Sequence, residues 1–208
     1  MARWTVPRCF EGGTVVVMAS GHGMTAEVAA AVRASGCPAI VTNSTFRLTP
    51  WAWMLYGADP EWWNHPANRD ARDFAGFKVT CQPGAGVLQL RSTGIDGFDP
   101  ATDAVRTGGN SAYQALHVAV HTGAARVILC GVNVSGAHWH DKHPPGLRET
   151  TDETYATWCR RFADVAPVLS KLGVDVVNCT PNSALTCFRR ATLGQELAYA
   201  SRAELTAS

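Results

Sequence analysis

A glycine pair, a helix and a buried strand follow one another between Thr107 and Cys130, and this local order restricts the fold more than any other stretch. Gly108 and Gly109 permit a tight approach of the backbone, and Asn110 or Ser111 can cap the helix that the apolar spacing predicts over Asn110 to Thr122. Arg126-Val-Ile-Leu-Cys130 is a short apolar run with β-branched residues, as expected of a strand covered on both faces. Functional residues in open α/β sheets lie beyond the carboxyl ends of such strands. The loop that follows, from Gly131 to His143, holds Asn133 and three histidines, His138, His140 and His143, so the site is expected there.

The same alternation is repeated along the chain. Thr14 to Ser20 predicts a strand, Met24 to Ser35 a helix ended by Gly36, and Pro38 to Thr42 a second strand that delivers Asn43. FKVT and VLQL predict two short strands, Asp152 to Leu172 a helix with Tyr155, Trp158, Phe162 and Leu169 inward, and Val174 to Val177 a last strand. Residues from Thr192 onward are polar and alanine-rich and are expected to form a tail. The pattern predicts one Rossmann-like α/β domain over residues 1–208, its core at about 14–187, with a mainly parallel sheet and helices on both faces. Trp51, Trp53, Trp62 and Trp63 crowd a proline-rich span with Tyr56. They fit a core or the interface of a homo-oligomer, or else a surface on which a base or sugar stacks.

Composition narrows the partners. A net charge of +1 and 17% charged residues leave no basic footprint for nucleic acid. Seven cysteines, an odd number, two of them at the ends of expected strands, favour reduced thiols and a cytoplasmic setting. The early apolar run, Thr14 to Ala19, is too short for a signal peptide or a membrane span.

Three clusters carry chemistry. Gly21-His22-Gly23 with Thr25 is a strand-to-helix turn that could cradle phosphate, since glycines admit the backbone and a helix N-terminus supplies N–H donors; a plain tight turn is the alternative. Ala26 stands where the full dinucleotide fingerprint has its third glycine. Gly109, Asn110 and Ser111 form a second such cradle. Asn43 can hold a ribose, phosphate or base, or cap the next helix. In the histidine loop, His138 and His140 share a face if extended, and His143 could fold back to join them, with Asp141 behind. Three imidazoles suit a divalent metal; one neutral imidazole suits a general base, with His140 favoured between Trp139 and Asp141; a solvated loop accounts for them equally simply.

Gly21-His-Gly23, Thr42-Asn43-Ser44, Thr107-Gly-Gly-Asn-Ser111 and Gly131-Val-Asn133, spread over roughly residues 14 to 187, resemble a broad Rossmann-like group. It includes the archaeal-type 6-hydroxymethylpterin diphosphokinases, motility-accessory glycosyltransferase-like proteins and bacterial sialyltransferases that use CMP-sialic acid. Small phage and prophage proteins carry a similar histidine-rich loop and a late VVNCTPNSAL segment. The resemblance implies that Gly21, Gly23, Asn43, Asn110 and Ser111 hold a nucleotide and that a histidine serves as base. The tyrosines that the sialyltransferases place near the leaving phosphate have no counterpart after Asn133. The expected function is transfer of a glycosyl or phosphoryl group from a nucleotide-activated donor, a nucleotide sugar or nucleoside triphosphate, with or without a divalent metal. The alternatives are a phage protein that binds or sequesters a nucleotide without turnover, and a metal-assisted hydrolase built on the histidine loop.

Overall fold

Val15, Val16, Val17 and Met18 are all inaccessible to solvent, and they alternate between two separate cores. That is the signature of a strand buried on both faces. The computed structural model describes residues 4–136, 138–140, 145–147 and 150–207. The strands, in chain order, are β1 (Thr14–Met18), β2 (Ala39–Thr42), β3 (Met54–Tyr56), β4 (Phe77–Thr80), β5 (Leu88–Gln89), β6 (Arg91–Ser92), β7 (Ala104–Val105), β8 (Arg126–Cys130), β9 (Asp175–Asn178) and β10 (Arg189–Arg190). Eight of them form one parallel sheet in the order β10-β9-β8-β1-β2-β3-β4-β5, while β6 and β7 make a small parallel pair of their own.

Among the described residues five helices cover the sheet: α1 (Ala26–Ser35), α2 (Pro60–Asn64), α3 (Ser111–His121), α4 (Asp152–Lys171) and α5 (Leu193–Ala207). Val15, Val17, Val127 and Leu129 face Leu116 of α3 and Phe162 of α4. Val16, Met18, Ile128 and Cys130 belong instead to the core shared by Val32 of α1 and Leu197 of α5. The fold is thus the expected Rossmann-like α/β domain with helices on both faces. Among the described residues no helix is long and apolar enough to cross a membrane.

Two local expectations change. The aromatic span contains β3, an interior strand of the sheet, and Trp62 and Trp63 at its end are buried in the second core, as the core reading of the tryptophans expects, with Trp62 edge-on to both Phe46 and Trp63. The alternation that marks a strand is hidden there because both faces are covered and the strand is only three residues long. The expected C-terminal tail is α5, which packs against α1 and buries Leu197 and Ala200. Its charged residues also bind: Glu196 accepts from Arg189 Nη1 at 2.7 Å, and Arg126 stacks over Tyr199 with its guanidinium carbon 4.0 Å from the ring centroid. All seven cysteines are free thiols, and burial pushes those of Cys130 and Cys179 upward, as befits core fillers.

α3 buries an ionisable group that its sequence does not advertise. His117 is fully buried between the rings of Tyr113 and Phe98, with centroids at 4.7 and 4.9 Å, and neither ring nitrogen is hydrogen-bonded among the described residues. Burial, helped by neighbouring His121, lowers its pKa to about 3.

Two outcomes follow from this packing. Leu197→Ala should lower the unfolding free energy by about 2–3 kcal/mol in urea titrations, whereas a tail residue would change nothing measurable. The unfolded chain takes up a proton at His117 near its ordinary pKa of 6.5, and the folded chain refuses it until about 3. Stability is therefore retained above that window and lost as the pH falls through it, and His117→Leu should flatten the decline seen in urea midpoints between neutral and acidic pH.

Candidate functional site

The sheet order places β1 between β8 and β2, and the chain leaves β1 toward β2 but leaves β8 toward β9. Connections that diverge from adjacent parallel strands leave a crevice at their carboxyl ends. Here it is a cleft of about 500 Å³, and Gly21, Asn43, Gly109, Asn110, Ser111, Asn133 and His138 all line it. Seven residues read separately from the sequence therefore meet in one place. His22, Gly23, Thr25 and His140 are not part of the lining.

The first glycine turn is organised by Asn133. The ladder between β1 and β8 runs on past both strands through Ala19 N–H to Cys130 O and Gly21 N–H to Gly131 O, each 2.8 Å. A Cβ at Gly21 would collide with the Asn133 amide and the Gly131 carbonyl, which is why the position needs glycine. Asn133, 1% exposed, accepts from Gly23 N–H at 3.0 Å, donates to Pro181 O at 3.1 Å and lies 3.1 Å from His22 Nε2. Thr25 caps α1 by accepting from Val28 N–H. The Gly23 amide is therefore engaged within the protein, and of this turn Gly21 lies on the cleft.

Asn43 starts a 3-10 turn spanning Asn43–Arg47 with a left-handed φ of 48°. Thr42, not Asn43, holds the N-cap position of that turn, and Asn43 Oδ1 is buried without a partner among the described residues. Of the two readings of Asn43, the cap finds no bond to carry it. Across the cleft, Asn110 caps α3 by accepting from Ala112 N–H at 2.8 Å and Tyr113 N–H at 3.1 Å. Ser111 Oγ accepts from Ala58 N–H, and Gln114 ties the helix to the sheet by accepting from Tyr56 and Cys81 and donating to Thr107 O.

The histidine loop folds back over β1. Gly21 and His138 form an antiparallel bridge, and Ser20 O accepts from Trp139 N–H at 3.1 Å and from His138 Nδ1 at 3.2 Å. A carbonyl only accepts, so Nδ1 carries the proton and Nε2 is the basic nitrogen of the neutral ring. The His138 and His140 rings stack in parallel 5.1 Å apart, so they share a face as expected, but His138 and not His140 lines the cleft. His143 and Asp141 lie outside the described residues. Among the described residues no group of three His, Cys, Asp or Glu is placed to hold a metal ion.

Apart from Trp62, which the sequence offers as a stacking surface, the other wall is built from residues to which sequence reasoning gave no role in the site. Asp59, Glu61 and Trp62 enter the cleft from the segment after β3, and Tyr155 and Trp158 from the first turns of α4. Asp59 stands just beyond a strand end, so recognising β3 would have found it. Tyr155 donates to Gly136 O at 2.7 Å and thereby fastens α4 to the histidine loop.

Because one buried amide braces three loops, Asn133→Ala should cost about 2–3 kcal/mol of stability and speed hydrogen exchange at the Gly23 amide by at least tenfold, with little change at α5.

The chain matches no family model, and no curated protein and no solved structure is significantly similar to it.

Proposed function

We propose that the protein is a nucleotide-dependent transferase that moves a glycosyl or phosphoryl group from a nucleotide-activated donor to an acceptor hydroxyl. The observation that carries this reading is the convergence of the Gly21 turn, Asn43, the N-terminus of α3 and His138 on one cleft at the switch point of a parallel sheet. Ligands of open α/β sheets bind at such crevices. The resemblance to the pterin diphosphokinase and sialyltransferase group supplies the donor class.

In this reading the donor lies across the switch point. Its phosphates meet the N-terminus of α3, where the helix dipole favours negative charge. Asn43, whose Oδ1 has no protein partner among the described residues, fixes the nucleoside. His138 Nε2 takes the proton from the acceptor hydroxyl as that oxygen bonds to the anomeric carbon or phosphorus of the donor. The bond to the donor's leaving phosphate oxygen breaks in the same displacement, and the electron pair departs with the phosphate. His138 replaces His140 as base because it is the histidine on the cleft. In the phosphoryl version, Asp59 and Glu61, the carboxylates that line the cleft, would hold a divalent cation that neutralises the donor's phosphates.

A panel of nucleoside mono- and diphosphates and their sugar conjugates tests this. A cognate ligand at a hundredfold excess over its Kd should add about 2.7 kcal/mol of stability, read as a higher Tm. His138→Gln should keep that shift and reduce turnover by about a hundredfold or more. A shift without turnover in the parent would mean sequestration in place of transfer, and no shift with any nucleotide would remove the reading.

A further inference from the structure

Between Asn133 and His138 the chain reverses, from the exit of β8 to a bridge with Gly21 beyond β1. Both ends of that reversal are fixed. On one side Val132 N–H donates to Thr180 Oγ1 at 3.0 Å, Ser183 Oγ donates to Val132 O at 2.6 Å and Ala184 N–H donates to Asn133 O at 2.8 Å, so the segment after β9 grips the chain as far as Asn133. On the other, Tyr155 donates to Gly136 O at 2.7 Å, and His138 Nδ1 and Trp139 N–H both donate to Ser20 O.

The turn between these ends uses left-handed backbone at Val134, with φ 52°, and at Gly136, with φ 64°. Glycine adopts that conformation freely, whereas a β-branched residue holds it only where the surroundings compel it. At Val134 the surroundings are the first core: the residue is 8% exposed and belongs to the same cluster as Val132, Phe162 and Leu185. For the turn alone glycine would serve at lower cost. What valine adds is an apolar anchor that ties the turn to the core. Val134 also lines the cleft, on the way from the Asn133 brace to His138.

We propose that Val134 is a positioning residue for His138: its buried side chain pins the left-handed turn, and the pinned turn delivers the His138 ring to Ser20 O at the edge of the cleft. The proposal rests on the reading of His138 as the base, but what it specifies is where the ring is held, and that can be observed without a substrate. A neutral imidazole bonded to Ser20 O carries its proton on Nδ1, whereas a ring released to water exchanges between its two tautomers. Without the apolar anchor residue 134 is no longer confined to one backbone conformation, and the loop between the two fixed ends samples others.

NMR of the imidazole nitrogens of the full chain in mildly alkaline solution, with hydrogen exchange at the Trp139 amide, decides it. The parent should show His138 with its proton on Nδ1. Val134→Gly should mix the two tautomers and speed exchange at the Trp139 amide about tenfold or more, while the Gly21 amide, bonded to Gly131 O, keeps its rate. Val134→Asn tolerates the left-handed backbone but lacks the apolar anchor, so it should behave as Val134→Gly does; Val134→Ile keeps a branched apolar side chain and should behave as the parent. If Val134→Gly fails to fold, Val134→Asn and Val134→Ile provide the same comparison. A tautomer and a Trp139 exchange rate unchanged in Val134→Gly or Val134→Asn would make Val134 a core filler and overturn the proposal, as would a parent whose His138 carries its proton on Nε2. With a nucleotide that raises the parent's Tm, Val134→Gly should keep that shift and lose turnover about tenfold. Absence of turnover in the parent would remove the role of base for His138, and the tautomer and exchange rates would still decide the pin by themselves.

Discussion

The parallel pairing of β1 with β8, from Thr14 opposite Arg126 to Met18 opposite Cys130, is the contact on which the rest of the molecule depends. It joins two strands whose following connections turn opposite ways, and so creates the crevice. It also continues beyond the strands. Two more main-chain bonds carry the ladder to Gly21 and Gly131, and there the side chain of Asn133 takes over, bracing the turn after β1 against the segment after β9 through Pro181. The close approach that this requires leaves no room for a Cβ at Gly21. A glycine turn that looks like a phosphate cradle in isolation is therefore first a packing solution between two loops, and of its three residues Gly21 alone lines the cleft.

Departures from relaxed local geometry gather at the same end of the sheet. The non-glycine residues with left-handed backbone among those described are Asn43, Val134 and Asn182, all in segments that follow strands. Asn43 and Val134 line the cleft, and Asn182 follows the Pro181 carbonyl that Asn133 engages. For a β-branched residue such as Val134 that conformation costs on the order of 1–3 kcal/mol and persists only where the surroundings enforce it. Asn43 Oδ1, on the cleft, is also buried without a hydrogen-bond partner among the described residues. Such local conflicts in an otherwise consistent sequence are expected where a ligand must be met.

The opposite end of the sheet does the holding. Arg126, at the start of β8, pairs with Asp175 at the start of β9 at 2.9 Å, and Glu196 of α5 joins Arg126 and Arg189 into the same network. Near the starts of β3 and β4, Trp4, Phe77, Trp53 and Phe10 contact one another in a row of rings with centroids 4.9 to 5.4 Å apart. An ion-pair network and a row of aromatic rings thus sit at the amino ends of the strands, while the glycines, amides and histidine of the cleft sit at the carboxyl ends. That division lets the cleft keep its strained loops without loosening the core.

The sequence by itself determined the alternation of strands and helices, because buried runs such as Val15-Val-Val17 and Val127-Ile-Leu129 and the caps at Thr25, Asn110 and Gly36 are local signals. It also determined most of the residues that line one side of the cleft, since Gly21, Asn43, Gly109 and Asn133 each lie just past a strand or just before a helix. Tertiary structure alone decided the rest. Which histidine faces the cleft depends on the bridge between His138 and Gly21, residues 117 positions apart in sequence, and no spacing rule encodes that pairing. Asp59 was obscured by a strand too short to show a period, and Tyr155 and Trp158 sit on a helix whose apolar face reads simply as core. The tail became a helix of the second core because Leu197 and Ala200 gain their burial from α1 and the sheet, partners that a linear pattern does not contain. Sequence periodicity reports which face of an element is apolar; which element comes to lie against that face is settled by the packing of the whole chain.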